Sequence, residues 1–163
     1  MKTRQSKPPG RHWPDRPEII AGIDETAGGS WLGVNDFGVV AAILNRSNSL
    51  GPKEGKRSRG ELVLEALDHA DASDAAEAIT SINEKAYRSF NMILADNRDA
   101  FWLKHTETDN ITLHSIPEGI SMITADDLND IKSPRIAKHL KRIRKASVPN
   151  PETNDWYAWQ KVL

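Results

Sequence analysis

The chain has 163 residues and a formal net charge of −1, with 38% hydrophobic and 28% charged side chains; that is enough for one globular domain with a real core and too apolar for a disordered chain. The balanced charge gives no global field to steer a nucleic acid or a membrane. The sequence holds no cysteine, which removes disulfides, thiolate metal sites and cysteine nucleophiles from it, and no stretch approaches the ~20 apolar residues that a membrane span needs.

Residues 1–17 are rich in proline and basic side chains and read as an extended segment without regular structure. No apolar run follows the basic start, so it is not a signal peptide, and the chain reads as cytoplasmic. Residues 30–35 read as a strand, Asp36-Phe37-Gly38 as a turn and 39–44 as a returning strand. Gly38 would supply the positive φ of a tight hairpin. The returning strand, Val39-Val40-Ala41-Ala42-Ile43-Leu44, is apolar without alternation. That pattern predicts burial on both faces, with a layer above and a layer below.

A polar loop over 48–57 precedes a helix. Ser58 and Glu61 have the spacing of a capping box, and Leu62, Val63, Ala66, Leu67 and Ala70 give an apolar face. Ser73 and Asp74 are placed to cap a second helix carrying Ala76, Ile79 and Ile82. Four strand-like runs follow, 90–95, 100–104, 111–116 and 120–124, divided by turn residues such as Asp96-Asn97-Arg98-Asp99. They predict an antiparallel meander. A last helix starts at Ser133 with Pro134 in its first position and an apolar stripe of Ile136, Leu140 and Ile143. Residues 149–163 read as a loop ending in a short turn with Trp156 and Trp159. The order of elements predicts an α+β domain over 18–163, with helices layered on antiparallel sheets.

The chemistry in these residues is sparse. There is no Gly-x-Ser-x-Gly elbow. The five histidines, His12, His69, His105, His114 and His139, have no pair at metal-ligand spacing. Asp24 and Glu25 could hold a cation or stand solvated. Asn45 ends an apolar strand, so its amide could meet a developing oxyanion or bond its own backbone. Gly28 and Gly29 either let the backbone approach a ligand or make a bend. The last helix carries Arg135, Lys138, Lys141, Arg142, Arg144 and Lys145, either a solvated face or a nucleic-acid contact.

Gly28-Gly29-Ser30-Trp31-Leu32-Gly33, the hairpin over 34–45, Arg59-Gly60-Glu61-Leu62, Tyr87-Arg88-Ser89-Phe90-Asn91 and Thr124-Ala125-Asp126-Asp127-Leu128-Asn129 together resemble the NRDE family, which includes the transport and Golgi organization 2 proteins. The resemblance implies an αββα sandwich of the N-terminal-nucleophile hydrolase type, in which an N-terminal cysteine attacks an amide carbonyl and asparagines hold the oxyanion. It implies Asn45 and Asn129 as oxyanion donors, and Gly28, Gly29 and Trp31 beside a pocket for an acyl, lipid or haem-like ligand. No metal or cofactor is implied. The family's Met-Cys start and its naming Asn-Arg-Asp-Glu motif are absent; Asn97-Arg98-Asp99-Ala100 lies in a later turn and does not take that role. The expectation is therefore a chain incomplete at both ends, with Met1 an internal methionine. Such a chain would be catalytically silent or a ligand-binding module, with weak nucleic-acid binding through 133–146 as a further alternative. Uncovered sheet edges would favour self-association.

Overall fold

The computed structural model describes residues 5–162. They fall into two compact units, Met1–Ile116 and Pro117–Leu163.

The first unit is built on one seven-stranded antiparallel sheet: β1 (Ser6–Gly10), β2 (Ile19–Asp24), β3 (Leu32–Asn35), β4 (Val40–Asn45), β5 (Phe90–Ala95), β6 (Ala100–His105) and β7 (Thr112–Ser115). Spatial order follows chain order throughout. Two helices, α1 (Gly60–Leu67) and α2 (Ala72–Thr80), are inserted between β4 and β5, which nonetheless pair along six residues from Val40↔Ala95 to Asn45↔Phe90. The α+β class and the antiparallel sheet with flanking helices stand as the sequence predicts.

The helices cover one face. Directly paired residues share a face of a sheet, so the register puts Ala21, Gly33, Ala41, Leu94 and Phe101 in one row. On that side the core joins Ile19, Ala21, Ala41, Phe90, Met92, Leu94 and Leu103 to Leu62, Val63, Ala66 and Leu67 of α1 and Ala75, Ala76 and Ile79 of α2. The small α2 side chains let that helix lie close. The expectation that β4 is buried on both faces is corrected: Ala41 is buried, while Val40 on the other face is 38% exposed.

Several local expectations are also corrected. Residues 6–10 form β1 against β2, a strand that the composition of the segment hid behind Pro8 and Pro9. An edge strand tolerates proline because its outer N–H groups have no ladder to join. Residues 19–24 form a strand that no turn signal announced. The Ser58–Glu61 capping box does not form. Glu61 turns instead to Arg57, with Oε1 2.7 Å from Nε, and Ser58 Oγ accepts weakly from the Gly60 N–H at 3.3 Å. Helix α2 is capped by Asp71, whose Oδ1 accepts from the Asp74 N–H at 2.9 Å, while Ser73 donates to the same oxygen at 2.8 Å. Gly38 has φ +89°, as the hairpin required.

In the second unit, α3 (Pro134–Lys145) starts where Pro134 placed it, with Ile136 and Leu140 buried. Residues 120–124 are not a strand; Asn129 holds that segment as a loop, its Oδ1 accepting from the Met122 N–H at 2.8 Å. A 3-10 turn at Pro151–Thr153 leads to the short α4 (Tyr157–Gln160).

Candidate functional site

A cavity of about 620 Å³ in the first unit opens where the ends of β2 and β4 meet the start of α1. Its position follows from a close approach of two backbones. A Cβ added to Gly29 would lie 2.5 Å from the Gly60 carbonyl carbon and 2.9 Å from the Glu61 nitrogen. Only glycine lets the chain at 29–30 touch the first turn of α1. The Ser30 N–H donates to Gly60 O at 3.0 Å, and the Asp24 N–H to Gly29 O at 2.9 Å, which closes one wall.

Trp31, Ile43, Leu50 and Pro52 supply apolar lining, and Asn45 and Ser30 add polar groups. Trp31 is 47% exposed, and its ring lies where a Cβ on Gly22 would be, 2.9 Å from Cζ2. Asn45 is exposed at the end of β4, and its side chain has no hydrogen-bond partner among the described residues. Of the residues anticipated from the sequence, Gly29, Trp31 and Asn45 line this cavity. Gly28 does not line it; it has φ +73° in the adjacent bend, and its carbonyl accepts from Trp13 Nε1 at 3.0 Å. Asn129 belongs to the second unit, with φ +58°; its Nδ2 donates to Ser121 Oγ at 3.1 Å.

The dominant chemistry is one the sequence reading left in a polar loop. Lys53, Lys56, Arg57, Arg59 and Arg88 all line the cavity, against the single carboxylate of Asp24. Each cation is fixed by local contacts. Lys53 Nζ lies 3.4 Å from Glu107 Oε2, and Lys56 Nζ donates to Lys85 O at 2.6 Å. Arg59 Nη1 donates to Ser89 O at 2.8 Å and Ser49 Oγ at 3.0 Å. Arg88 reaches the carbonyls of Asn48, Leu50 and Gly51 at 2.8–3.2 Å. Carbonyls hold Lys56 and much of the Arg88 guanidinium without cancelling charge, whereas Glu107 lies beside Lys53 and 3.8 Å from Arg88 Nε, and Glu61 pairs with Arg57. Five cations against Asp24, Glu61 and Glu107 leave the wall net positive. Such a wall in a partly enclosed cavity raises the local concentration of anions. The signal was present in the sequence: four of the seven residues over 53–59 are cationic.

Arg57 also borders a second, more polar cavity with Arg16, Glu61, Glu65 and Tyr87. Its guanidinium sits 5.6 Å from the Tyr87 ring centroid. Burial, with the Glu61 hydrogen bond second, pushes the Tyr87 hydroxyl above its ordinary value, so this phenol stays protonated. No group of three or more His, Asp or Glu side chains suited to a metal ion occurs among the described residues, nor is any helix there long and apolar enough to cross a membrane.

These features define an α+β protein with a single antiparallel meander and a basic, partly apolar cavity at one end of its helix layer. The family description for Transport and Golgi organisation 2 matches residues 1–160, and the chain belongs to that family. It is 35% identical over 89 residues to the mouse (Mus musculus) Transport and Golgi organization 2 homolog, covering 52% of this chain and 31% of the relative. It is 34% identical over 89 residues to the cattle (Bos taurus) Transport and Golgi organization protein 2 homolog, with the same coverage. The matched segment thus spans under a third of either relative.

Proposed function

We propose that the first unit binds an acyl-chain ligand with an anionic head and does not hydrolyse it. The observation that carries this reading is the juxtaposition in one cavity of Trp31, Ile43 and Leu50 with five cationic side chains. An apolar chain gains by leaving water against the first group, and a carboxylate gains from the second. Asn45, whose side chain has no partner among the described residues, adds an amide donor to the lining. The N-terminal-nucleophile architecture that the resemblance implies would place a second sheet on the face away from α1 and α2; the half-exposed Leu32 and Val40 there suit such a layer. The cysteine that the resemblance implies as nucleophile is absent from these 163 residues.

The test pairs binding with turnover. Palmitate should raise the melting temperature in a concentration-dependent way, and its uncharged methyl ester should raise it far less. Neither an amide nor an ester of palmitate should be cleaved above background. Equal stabilisation by the acid and the ester would remove the cationic wall from the argument. Turnover that disappears on replacing one serine or threonine of the cavity would show another nucleophile at work.

A further inference from the structure

The second unit carries a different concentration of charge. Helix α3, twelve residues long, holds six cations and no acid, in a chain whose net charge is −1; the remainder of the protein is therefore net acidic. At about 100° per residue, Arg135, Arg142, Lys138, Lys145 and Lys141 fall within an arc of about 120°. The buried Ile136 and Leu140 lie roughly opposite, so the helix turns its apolar stripe inward and its cations outward. All five are exposed. Among the described residues, no carboxylate pairs with Arg135, Lys138, Lys141 or Lys145. Among the described residues, Arg142 reaches the Lys161 carbonyl at 3.3 Å and no carboxylate. Unneutralised like charges at this density repel one another, and a solvated face gains nothing from them.

The same unit exposes large apolar side chains on either side of the helix in sequence. Ile131 is 73% and Val148 78% exposed, and Tyr157 and Trp156 are 62% and 40% exposed. Lys161 Nζ lies 4.2 Å from the centroid of the Tyr157 ring. Nucleic-acid phosphates offer nothing to isoleucine or valine. The boundary between lipid headgroups and acyl chains accepts branched aliphatic side chains and favours tryptophan and tyrosine.

We propose that the second unit is a peripheral membrane-binding module that adsorbs to an anionic bilayer through the Arg135–Lys138–Lys141–Arg142–Lys145 face of α3, with Ile131 and Val148 entering the headgroup layer. Charge supplies the attraction and the apolar side chains a shallow anchor, with no part of the chain crossing the bilayer.

The experiment is sedimentation of the whole chain with vesicles at about 0.15 M salt. Phosphatidylcholine vesicles are compared with vesicles containing roughly 30% phosphatidylserine. The protein should sediment with the second and not the first. Each lysine or arginine near an anionic surface changes affinity by about fivefold, so Lys138→Gln/Lys141→Gln/Lys145→Gln should weaken binding by about a hundredfold. Ile131→Ser/Val148→Ser should weaken binding while leaving its salt dependence unchanged. Circular dichroism and the melting temperature of each variant establish that it folds; these are exposed positions, and the glutamine substitutions keep helix propensity. Failure of the wild-type chain to bind phosphatidylserine vesicles overturns the proposal. So does equal binding by a folded triple-glutamine variant, or tighter binding to duplex DNA or RNA than to vesicles at the same salt.

Discussion

Asn35 and Leu67, 32 residues apart, are joined by a hydrogen bond of 2.8 Å from the buried Asn35 Nδ2 to the Leu67 carbonyl. The same nitrogen donates to His69 O at 2.7 Å, and Oδ1 accepts from the Phe37 and Val39 N–H groups. One side chain thus fills all four of its hydrogen-bonding positions. It ties the β3–β4 turn to the end of α1, and through α1 it holds the wall of the cavity.

Replacing Asn35 by alanine leaves two carbonyls and two N–H groups without their partner in a site that is 4% exposed. Unsatisfied buried groups cost about 1–3 kcal/mol each where water cannot reach them. With partial relaxation, Asn35→Ala should lower unfolding free energy by about 3 kcal/mol. Urea denaturation followed by tryptophan fluorescence measures this; a loss under about 1 kcal/mol would mean that the turn and the helix end are held by other contacts.

The neighbouring glycines should respond differently to the same change. At Gly29 a β-carbon meets the Gly60 backbone at 2.5 Å, so Gly29→Ala must push α1 from the sheet and should cost about 3 kcal/mol. At Gly28 the space is open and only the φ of +73° resists; Gly28→Ala should cost about 1 kcal/mol. Palmitate binding should fall with the first substitution and survive the second. Melting curves with and without ligand read both effects.

Three backbone N–H groups, those of Ala72, Arg98 and Asp99 in order of their effect, lower the Asp96 carboxyl from 3.8 to about 2. The unfolded chain therefore takes up this proton at higher pH than the folded one. The stabilisation is complete above about pH 4 and is lost as pH falls towards 2. Asp96→Asn should flatten that part of the pH dependence and lower stability at pH 7 by about 1 kcal/mol. Denaturation series from pH 2 to pH 6 test this, and an unchanged acid limb in the variant would show that other carboxylates set it.

Asn45→Asp places a carboxylate at the mouth of the basic cavity. If the anionic head of a ligand sits there, repulsion at close range should weaken palmitate binding at least about fivefold, the scale of 1 kcal/mol. Asn45 is exposed, so the melting temperature without ligand should hardly move. Titration calorimetry separates the two effects; tighter binding would place the head elsewhere in the cavity.

The sequence made the hairpin around Gly38, the strands over 90–95 and 100–105 and the start of α3 legible, because apolar runs and turn residues punctuate them. It hid β1, whose Pro8 and Pro9 argue against a strand anywhere but at an edge, and edge position is a tertiary fact. It hid the cap of α2 because Asp71, Ser73 and Asp74 offer three chemically equivalent solutions. At the candidate site, Gly29 and Asn45 stood out by residue type and position, each with a bland alternative, and Trp31 came through family resemblance alone. The cationic wall was missed because 53–59 reads as a solvated loop until folding brings Arg88, 29 residues past Arg59, to the same cavity. Asn35 was read only as the end of a strand, since nothing local marks a partner at Leu67.

Because every strand lies beside the strand that precedes it in the chain, the sheet can be extended in the order in which a ribosome delivers it. Each emerging strand finds its ladder already made, and the closures are short apart from the β4–β5 step, where α1 and α2 intervene. Low sequence separation between partners favours rapid folding, and it shortens the interval during which a half-built edge stands open to other nascent chains. The step most exposed to interruption is then synthesis of residues 46–89, when β4 waits for β5, and slowing translation there should raise aggregation more than slowing it elsewhere in the unit.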